Sequence, residues 1–293
     1  MRVAQSRHDR RLAWLMLAPA LLVLFCLSFF PLIFSVRVSL TTSEGAWTLA
    51  QYARLFSDRF FGIALLQTFV YTLVALMLEF GLGLLLALLL NTQLTGRNLF
   101  RAILLLPMLL PPVVVAVIWR LIYNPNFGLI NGSFKSLGVD TSGWMWIAGQ
   151  KTALLSVILV DVWQWTPFMF LLLLAGLQSL PMEPYEAARI DGASSWQTFR
   201  DITWPLLKPT VVVAVLLRLL DLVRIFDQIF ILTEGGPGFA TETASLYIYR
   251  NAFRFFNFNY GAALSFVLLG LTTAVSLWLI RLLQGRAPTA RAG

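Results

Sequence analysis

The chain has 293 residues, of which 58% are hydrophobic and only 12% are charged. Soluble globular domains contain about 45–50% apolar and about 25% charged residues, so this composition excludes an ordinary soluble protein and indicates an integral membrane protein. The formal charge of +8 would suggest nucleic-acid binding in a soluble protein, but here it matches the cation excess of cytoplasmic loops in membrane proteins. Cys26 is the only cysteine, which excludes a disulfide framework and a cysteine metal site.

Six apolar windows reach the length of roughly 20 residues that a helix needs to cross a bilayer. The predicted spans are residues 13–36, 68–91, 100–122, 152–178, 209–233 and 260–281. The first window is too long for the apolar region of a signal peptide, and no small-x-small cleavage site follows it, so we expect it to remain as an anchor. The two ends are predicted to be cytoplasmic tails, a basic one at residues 1–12 and a second at residues 283–293.

The positions of lysine and arginine predict the orientation of these spans. With the N-terminus inside, twelve of these residues fall in cytoplasmic segments or span ends and eight fall on the outer side, although the outer loops are longer. The positive-inside rule therefore predicts that both termini are cytoplasmic, and an even number of spans agrees with this. The predicted fold is an all-α integral membrane protein with six transmembrane helices.

Several catalytic motifs are missing from the sequence. His8 is the only histidine and lies in the basic tail, so a histidine metal cluster cannot be assembled. Lys135, Lys151 and Lys208 follow Phe, Gln and Leu, whereas the lysine of a phosphate-binding loop follows glycine. No G-x-S-x-G nucleophile elbow occurs. The sequence therefore predicts that this chain is not an enzyme and holds no metal or other cofactor of its own.

The loop between the fourth and fifth predicted spans carries strong local helix signals. Pro184 suits the first position of a helix, and Glu183 and Glu186 lie where the positive end of the helix dipole favours carboxylates. Gly192 follows where the helix would end, because glycine adopts the left-handed backbone conformation of a helix C-terminus without steric cost. The sequence therefore predicts a short helix that ends at Gly192.

A second short helix is predicted directly after the first. Ser194 and Gln197 have the spacing of a capping box, in which each side chain bonds the backbone N–H of the other residue. Pro205 is expected to end this helix. Its apolar residues recur on one face, at Trp196, Phe199 and Ile202. By composition alone, the pair of helices could be an amphipathic hairpin that rests on lipid headgroups.

A longer pattern in the same loop favours another interpretation. The run Glu186-Ala-Ala-x-x-x-Gly192, then nine residues, then Ile202-x-Trp204-Pro205 resembles the EAA motif of bacterial ABC importer permeases. In that family this loop, here residues 183–205, is the coupling helix that docks in a groove of the ATP-binding subunit. The family usually has leucine where this chain has Trp204. The resemblance implies that coupling to the ATPase involves Glu186, Ala187, Ala188, Asp191, Gly192, Ile202 and Pro205.

Two further stretches look like carbohydrate-importing members of that family. They are residues 226–237, with the sequence FDQIFILTEGGP, and residues 161–168, with the sequence DVWQWTPF. The resemblance implies a transmembrane core at residues 65–282 and is closer to compact permeases of glycerol-phosphate, trehalose and disaccharide systems. The Gly235-Gly-Pro237 region argues against an importer of amino acids or phosphate.

The resemblance also implies an assembly in the bacterial cytoplasmic membrane. This chain would form half of the pathway for a sugar, beside a second homologous permease and among membrane lipids. Two ATP-binding subunits would carry ATP and magnesium, and a periplasmic or lipid-anchored solute-binding protein would deliver the sugar; no nucleic acid is involved. The alternatives are an importer of another solute and, with less support, a secondary transporter, which usually shows an internal repeat that this sequence lacks.

Four charged residues inside the fifth predicted span follow one another at intervals of three. Neighbours at this spacing touch on a helix, so the sequence predicts a ladder in which Arg218, Asp221, Arg224 and Asp227 neutralise one another. The ladder could serve helix packing only, or one end could line a polar cavity and contact substrate hydroxyls. The candidate substrate-pathway residues are Trp163, Trp165, Arg224, Phe226, Asp227 and Gln228. Glu79 and Asp161 are carboxylates within other spans, and the sequence does not indicate their partners.

Overall fold

A computed structural model describes residues 7–92 and 96–284. Apart from one β-bridge between Thr41 and Trp47, the regular elements within these ranges are helices, which confirms the predicted all-α class. The helices are α1 (Arg7–Ser39), α2 (Ala50–Leu55), α3 (Arg59–Leu90), α4 (Arg97–Leu109), α5 (Pro112–Ile122), α6 (Leu129–Ser136), α7 (Ala153–Gln178), α8 (Glu183–Ile190), α9 (Ser195–Thr198), α10 (Trp204–Val223), α11 (Asp227–Leu232), α12 (Ala244–Tyr249) and α13 (Phe258–Gln284). Two π-helical turns, Phe199–Thr203 and Arg250–Arg254, precede α10 and follow α12.

The predicted tails lie largely outside the described residues. Residues 1–6 and 285–293 are not described, while the rest of the predicted N-terminal tail belongs to the first turns of α1. Among the residues that the structure describes, four helices are long and apolar enough to cross a membrane, at Trp14–Ser39, Arg59–Leu90, Ala153–Gln178 and Phe258–Arg281. Each of these helices overlaps one of the predicted spans 13–36, 68–91, 152–178 and 260–281.

The predicted span 100–122 is not one straight helix. It is divided into α4 and α5, whose axes are bent by 96°. The break lies at Leu110, which has an extended backbone (φ −81°, ψ 137°). The physical cause is the Pro111-Pro112 pair, because a proline disfavours the helical conformation of the residue before it and supplies no backbone N–H.

The predicted span 209–233 is also wrong as a single helix. α10 ends at Val223, and α11 begins only at Asp227. Side chains satisfy backbone carbonyls that this break leaves free: Arg224 Nε donates to the carbonyl of Leu220 at 2.9 Å, and Thr243 Oγ1 donates to that of Ile225 at 3.3 Å. Breaks of this kind are tolerated at membrane depth where the backbone is buried in protein or lines a water-filled cavity.

The chain divides into two compact units. The first contains the residues up to Asp58 and Ile248–Val267. Within it, Asn259 Nδ2 donates to the carbonyls of Val38 and Thr41 at 2.9 and 2.8 Å, which fixes the C-terminal end of α1. The apolar window of α1 has no residue buried within the chain, so its surface is available to lipid or to a partner.

The second unit contains Arg59–Tyr247 and the residues from Leu268 onward, and its centre is the packing of α3 against α7. α10 lies against both helices and closes the core. The buried cluster near the C-terminal ends of α3 and α7 consists of Ala87, Leu90, Phe170, Leu173, Leu174, Leu177, Leu207 and Val211.

The close approach of α3 and α7 depends on Gly83. A Cβ at Gly83 would lie 2.7 Å from the Cβ of Met169 and 3.0 Å from the backbone nitrogen of Phe170. We therefore expect Gly83→Ala to destabilise the purified protein by about 1–3 kcal/mol in thermal denaturation, the usual cost of overpacking. Gly81→Ala on the same helix is the matched control, since a Cβ at Gly81 would meet nothing within 4 Å. Equal stability of the two variants would contradict this close packing.

Candidate functional site

The first helix of the loop at residues 183–205 ends as its sequence predicts. In α8, Pro184 lies in the first turn, and Gly192 has a left-handed φ of +70° after the helix. The N–H of Ala193 donates to the carbonyl of Ala188 at 2.9 Å, and the N–H of Gly192 donates to that of Arg189 at 3.2 Å. This pair of bonds is a Schellman motif, which satisfies helix C-terminal carbonyls and stops the helix.

The second helix of the loop begins at the predicted capping box. The N–H of Ser194 donates to Gln197 Oε1 at 2.8 Å, and the N–H of Gln197 donates to Ser194 Oγ at 3.3 Å. The expectation that Pro205 ends this helix is wrong. The backbone stays helical from α9 through the π-helical turn into α10, and the N–H of Trp204 bonds the carbonyl of Phe199. Because this turn shifts the hydrogen-bond register immediately before Pro205, the helix passes the proline, which lacks an N–H.

Two contacts connect this loop to the helices of the second unit. The hydroxyl of Tyr185 donates to Thr203 Oγ1 at 3.1 Å and thereby joins α8 to the start of α10. The ring of Trp204 packs edge-on against Phe80 of α3, with centroids 6.3 Å apart, and borders the buried cluster of α3, α7 and α10. A short chain of contacts therefore links α8 to α10 and α3.

The surface of the loop combines acidic and apolar groups. Among the motif residues, Glu186, Ala187, Asp191, Gly192 and Pro205 are exposed, Ile202 is half-buried and Ala188 is buried. Two large apolar side chains are also exposed, Ile190 at 87% and Trp196 at 66%. Nearby, the Arg200 guanidinium lies 2.8 Å from Asp201, and its hydrogen bond holds the pKa of that carboxyl below its usual value. Exposed apolar groups beside a rigid, capped helix are typical of a protein-docking surface.

The charged ladder predicted in the fifth span does not form as expected. Arg218 turns away from Asp221 and binds Glu79 of α3 and Asp161 of α7, at 2.6 and 2.5 Å. All three side chains are at most 2% exposed. The face of Trp165 lies 5.0 Å from the Arg218 guanidinium carbon. Burial decides this arrangement, because a guanidinium enclosed among α3, α7 and α10 can reach the carboxylates of two other helices.

The rest of the ladder is an exposed pair and an isolated residue. Arg224 Nη2 lies 3.4 Å from Asp221 Oδ1, as the spacing predicts, and both side chains are more than half exposed. Asp227 lies beyond the break between α10 and α11, so it does not continue the series, although its side chain is exposed. Phe226, in the break itself, stacks on Phe230.

The other pathway candidates divide into exposed and buried groups. Trp163 is 42% exposed and packs edge-on against Trp119, with ring centroids 5.6 Å apart. The ring of Trp165 is covered on one face by the Arg218 guanidinium. Gln228 is fully buried and donates to Gln164 Oε1 at 2.6 Å. Gln164 in turn donates to the carbonyl of Leu110 at 2.8 Å, at the break between α4 and α5. The two breaks are therefore joined by a pair of glutamines.

Sequence reasoning did not identify Gln164 or the partners of Arg218. The available signal was the presence of polar side chains inside apolar spans, which are expensive there and usually face protein or water. Interrupted membrane helices with buried polar side chains beside the interruption occur in many transport proteins.

Comparison with known proteins identifies the family. The family model described as "Binding-protein-dependent transport system inner membrane component" matches residues 79–287, and the chain belongs to this family. It is therefore a transport subunit of the cytoplasmic membrane. The trehalose/maltose transport system permease protein of Thermococcus litoralis is 39% identical to it over 286 residues, 95% of each chain. The trehalose transport system permease protein of Mycobacterium tuberculosis is 34% identical over 98% of this chain and 93% of the relative.

The fold is also found among solved structures. A chain of the bacterial alginate ABC transporter, crystallised with an alginate pentasaccharide-bound periplasmic protein, superposes with a TM-score of 0.83. The two sequences are 22% identical, and the match covers 95% of this chain and 96% of that one. This similarity establishes the fold of the chain.

Proposed function

We propose that this chain is the permease subunit of an ATP-driven importer and forms half of the pathway for a sugar or sugar derivative. The observation that carries the proposal is the rigid loop at residues 183–205, which has the EAA pattern, exposed docking groups and a direct connection to the transmembrane core. The sugar class is supported by two curated relatives over nearly the whole chain, both of which are named as trehalose or trehalose/maltose permeases. The name of the family supports delivery of the solute by an external binding protein.

We propose that α8 and its cap dock on an ATP-binding subunit. Exposed Glu186 and Asp191 would meet the partner at its surface, while Ile190 and Trp196 would bury their apolar area. ATP and magnesium would be bound by two such subunits and not by this chain. Closure of these subunits would pull on α8, and the contacts from Tyr185 to Thr203 would pass the movement to α10.

The six-span topology is part of this proposal. Counting α4 with α5 as one broken span, and α10 with α11 as another, adds two spans to the four continuous helices. Both termini and the loop that holds α8 would then be cytoplasmic, and α6 would be on the outer side, in agreement with the distribution of cations. A second homologous permease would complete the pathway.

The solute pathway is proposed to pass the break between α10 and α11. Asp221, Arg224 and Asp227 are exposed around this break, where charged groups are tolerated only beside water or protein. Phe226 in the break and the exposed face of Trp163 on α7 would offer apolar surface to a sugar ring. Gln228 would support the break from its buried side instead of touching the solute.

Thiol labelling tests the pathway. In a Cys26→Ser background, we expect Arg224→Cys in the assembled importer to react with a membrane-impermeant thiosulfonate, because the reagent needs water around the thiol. Val213→Cys is the matched control, since Val213 also lies on α10 and is 53% exposed in this chain but has an apolar neighbourhood. Equal labelling of the two positions, or no labelling at position 224, would contradict the proposal that the solute passes this break.

Purification from the membrane tests the function as a whole. A tagged copy of this chain is expected to co-purify with a second permease and an ATPase. Vesicles that contain the complex should take up a trehalose- or maltose-like sugar only when ATP and the binding protein are present. A chain that transports alone with an ion gradient would be a secondary transporter. Uptake of a non-sugar solute in place of sugars would agree with the importer function but contradict the proposed sugar substrate.

A further inference from the structure

The buried cluster of Arg218, Glu79 and Asp161 contains two acids and one base. Within the described residues, the titratable groups that face it from α3, α7 and α10 are these three and Tyr71. If both carboxyl groups were ionised, the cluster would hold one uncompensated negative charge in the interior of the membrane helices. An unpaired charge at such a site is strongly unfavourable, and the cluster has no contact with solvent to relieve it.

The two acids are bound differently. Glu79 receives the fork of the guanidinium, since Arg218 Nε donates to Oε2 at 2.6 Å and Nη2 donates to Oε1 at 2.8 Å. Asp161 is held through Oδ2 alone, 2.5 Å from the same Nη2. A two-bond fork is the arrangement that an ionised carboxylate makes with arginine. Arg218 therefore binds both acids at once, with two bonds to Glu79 and one to Asp161.

The second oxygen of Asp161 is the free position in the cluster. Asp161 Oδ1 and the hydroxyl oxygen of Tyr71 are buried and have no hydrogen-bond partner within the described part of the chain. Tyr71 is fully buried next to Asp161. The Tyr71 O–H can donate to the Asp161 carboxyl, which would satisfy both groups.

We propose that Glu79 and Asp161 share one proton, so that the cluster with Arg218 is electrically neutral. A shared proton gives three helices a common contact without a net charge. In closely coupled acids the proton belongs to the pair, so removal of either acid changes the protonation of the other. Each single amide substitution therefore leaves one carboxylate as the counter-ion of Arg218 and removes the need for the proton.

Infrared difference spectroscopy of the assembled transporter in lipid nanodiscs at neutral pH tests whether the two acids share a proton. The wild-type complex should show the C=O stretch of a protonated carboxylic acid, which shifts in heavy water. The band should be lost in Glu79→Gln and equally in Asp161→Asn. The matched control is Asp140→Asn, because Asp140 is fully exposed and its pKa is lowered by the backbone N–H of Ser142, so it is ionised at this pH and contributes no such band.

Assembly yield provides a second measurement. Both single amide variants should assemble at close to the wild-type yield, whereas Glu79→Gln with Asp161→Asn should lose most of it, because Arg218 then has no counter-ion. A band that is absent from the wild type, or that persists in either single variant, would overturn the proposal. So would single variants that assemble as poorly as the double variant, since both ionised carboxylates would then be required.

Discussion

Arg218→Met is expected to abolish accumulation of the assembled importer. The substitution leaves Glu79 and Asp161 buried between three helices without a base, and removal of one partner from a buried ion pair costs about 3–5 kcal/mol. This is comparable to a large part of the total stability of many proteins. The measurement is the amount of complex recovered from membranes through a tag on this chain.

Two comparisons make the result specific to the buried cluster. Arg224→Met removes an arginine from the same segment, but its pair with Asp221 is exposed, so accumulation should remain close to that of the wild type. The triple variant Arg218→Met, Glu79→Gln, Asp161→Asn contains no buried charge and should recover part of the lost yield. Normal accumulation of Arg218→Met alone would contradict the structural role of the cluster.

Gly192→Val should uncouple ATP hydrolysis from transport while the chain still inserts in the membrane. Valine resists the left-handed φ of +70° by about 1–2 kcal/mol, so the Schellman motif is lost and the end of α8 is displaced. A docking surface that has lost its geometry no longer transmits the movement of the ATPase. Binding-protein-stimulated ATP hydrolysis and uptake in reconstituted complexes should both fall several-fold.

Gly138 provides a control, because it has the same left-handed backbone conformation as Gly192 but lies outside the loop at residues 183–205. Gly138 has a φ of +82° after α6, the N–H of Val139 donates to the carbonyl of Phe134, and a Cβ at either glycine would meet nothing within 4 Å. Gly138→Val therefore imposes a similar local strain outside the loop at residues 183–205. If both variants lose coupling equally, or neither does, the assignment of coupling to that loop is wrong. Glu186→Lys, which leaves the backbone of α8 intact, should weaken ATPase binding without this strain.

Much of this protein follows from local properties of its sequence. The membrane class follows from composition, and four spans follow from apolar runs because a helix in lipid must satisfy its own backbone groups. The cap at Gly192 and the capping box of Ser194 and Gln197 were predictable because each bond joins residues only a few positions apart. Asp221 and Arg224 pair for the same reason.

The tertiary structure decided what local spacing could not. Arg218 is 139 residues from Glu79 and 57 from Asp161, so helix periodicity gave no indication of either pair, and the i,i+3 rule selected the wrong partner. The bend at Leu110 and the break after Val223 have polar partners from distant parts of the chain, Gln164 on α7 and Thr243 just before α12, which satisfy backbone carbonyls at the interruptions. Apolar content alone predicts that a segment enters the membrane, but which charges are buried and where a helix breaks depend on the groups that neighbouring helices bring to it.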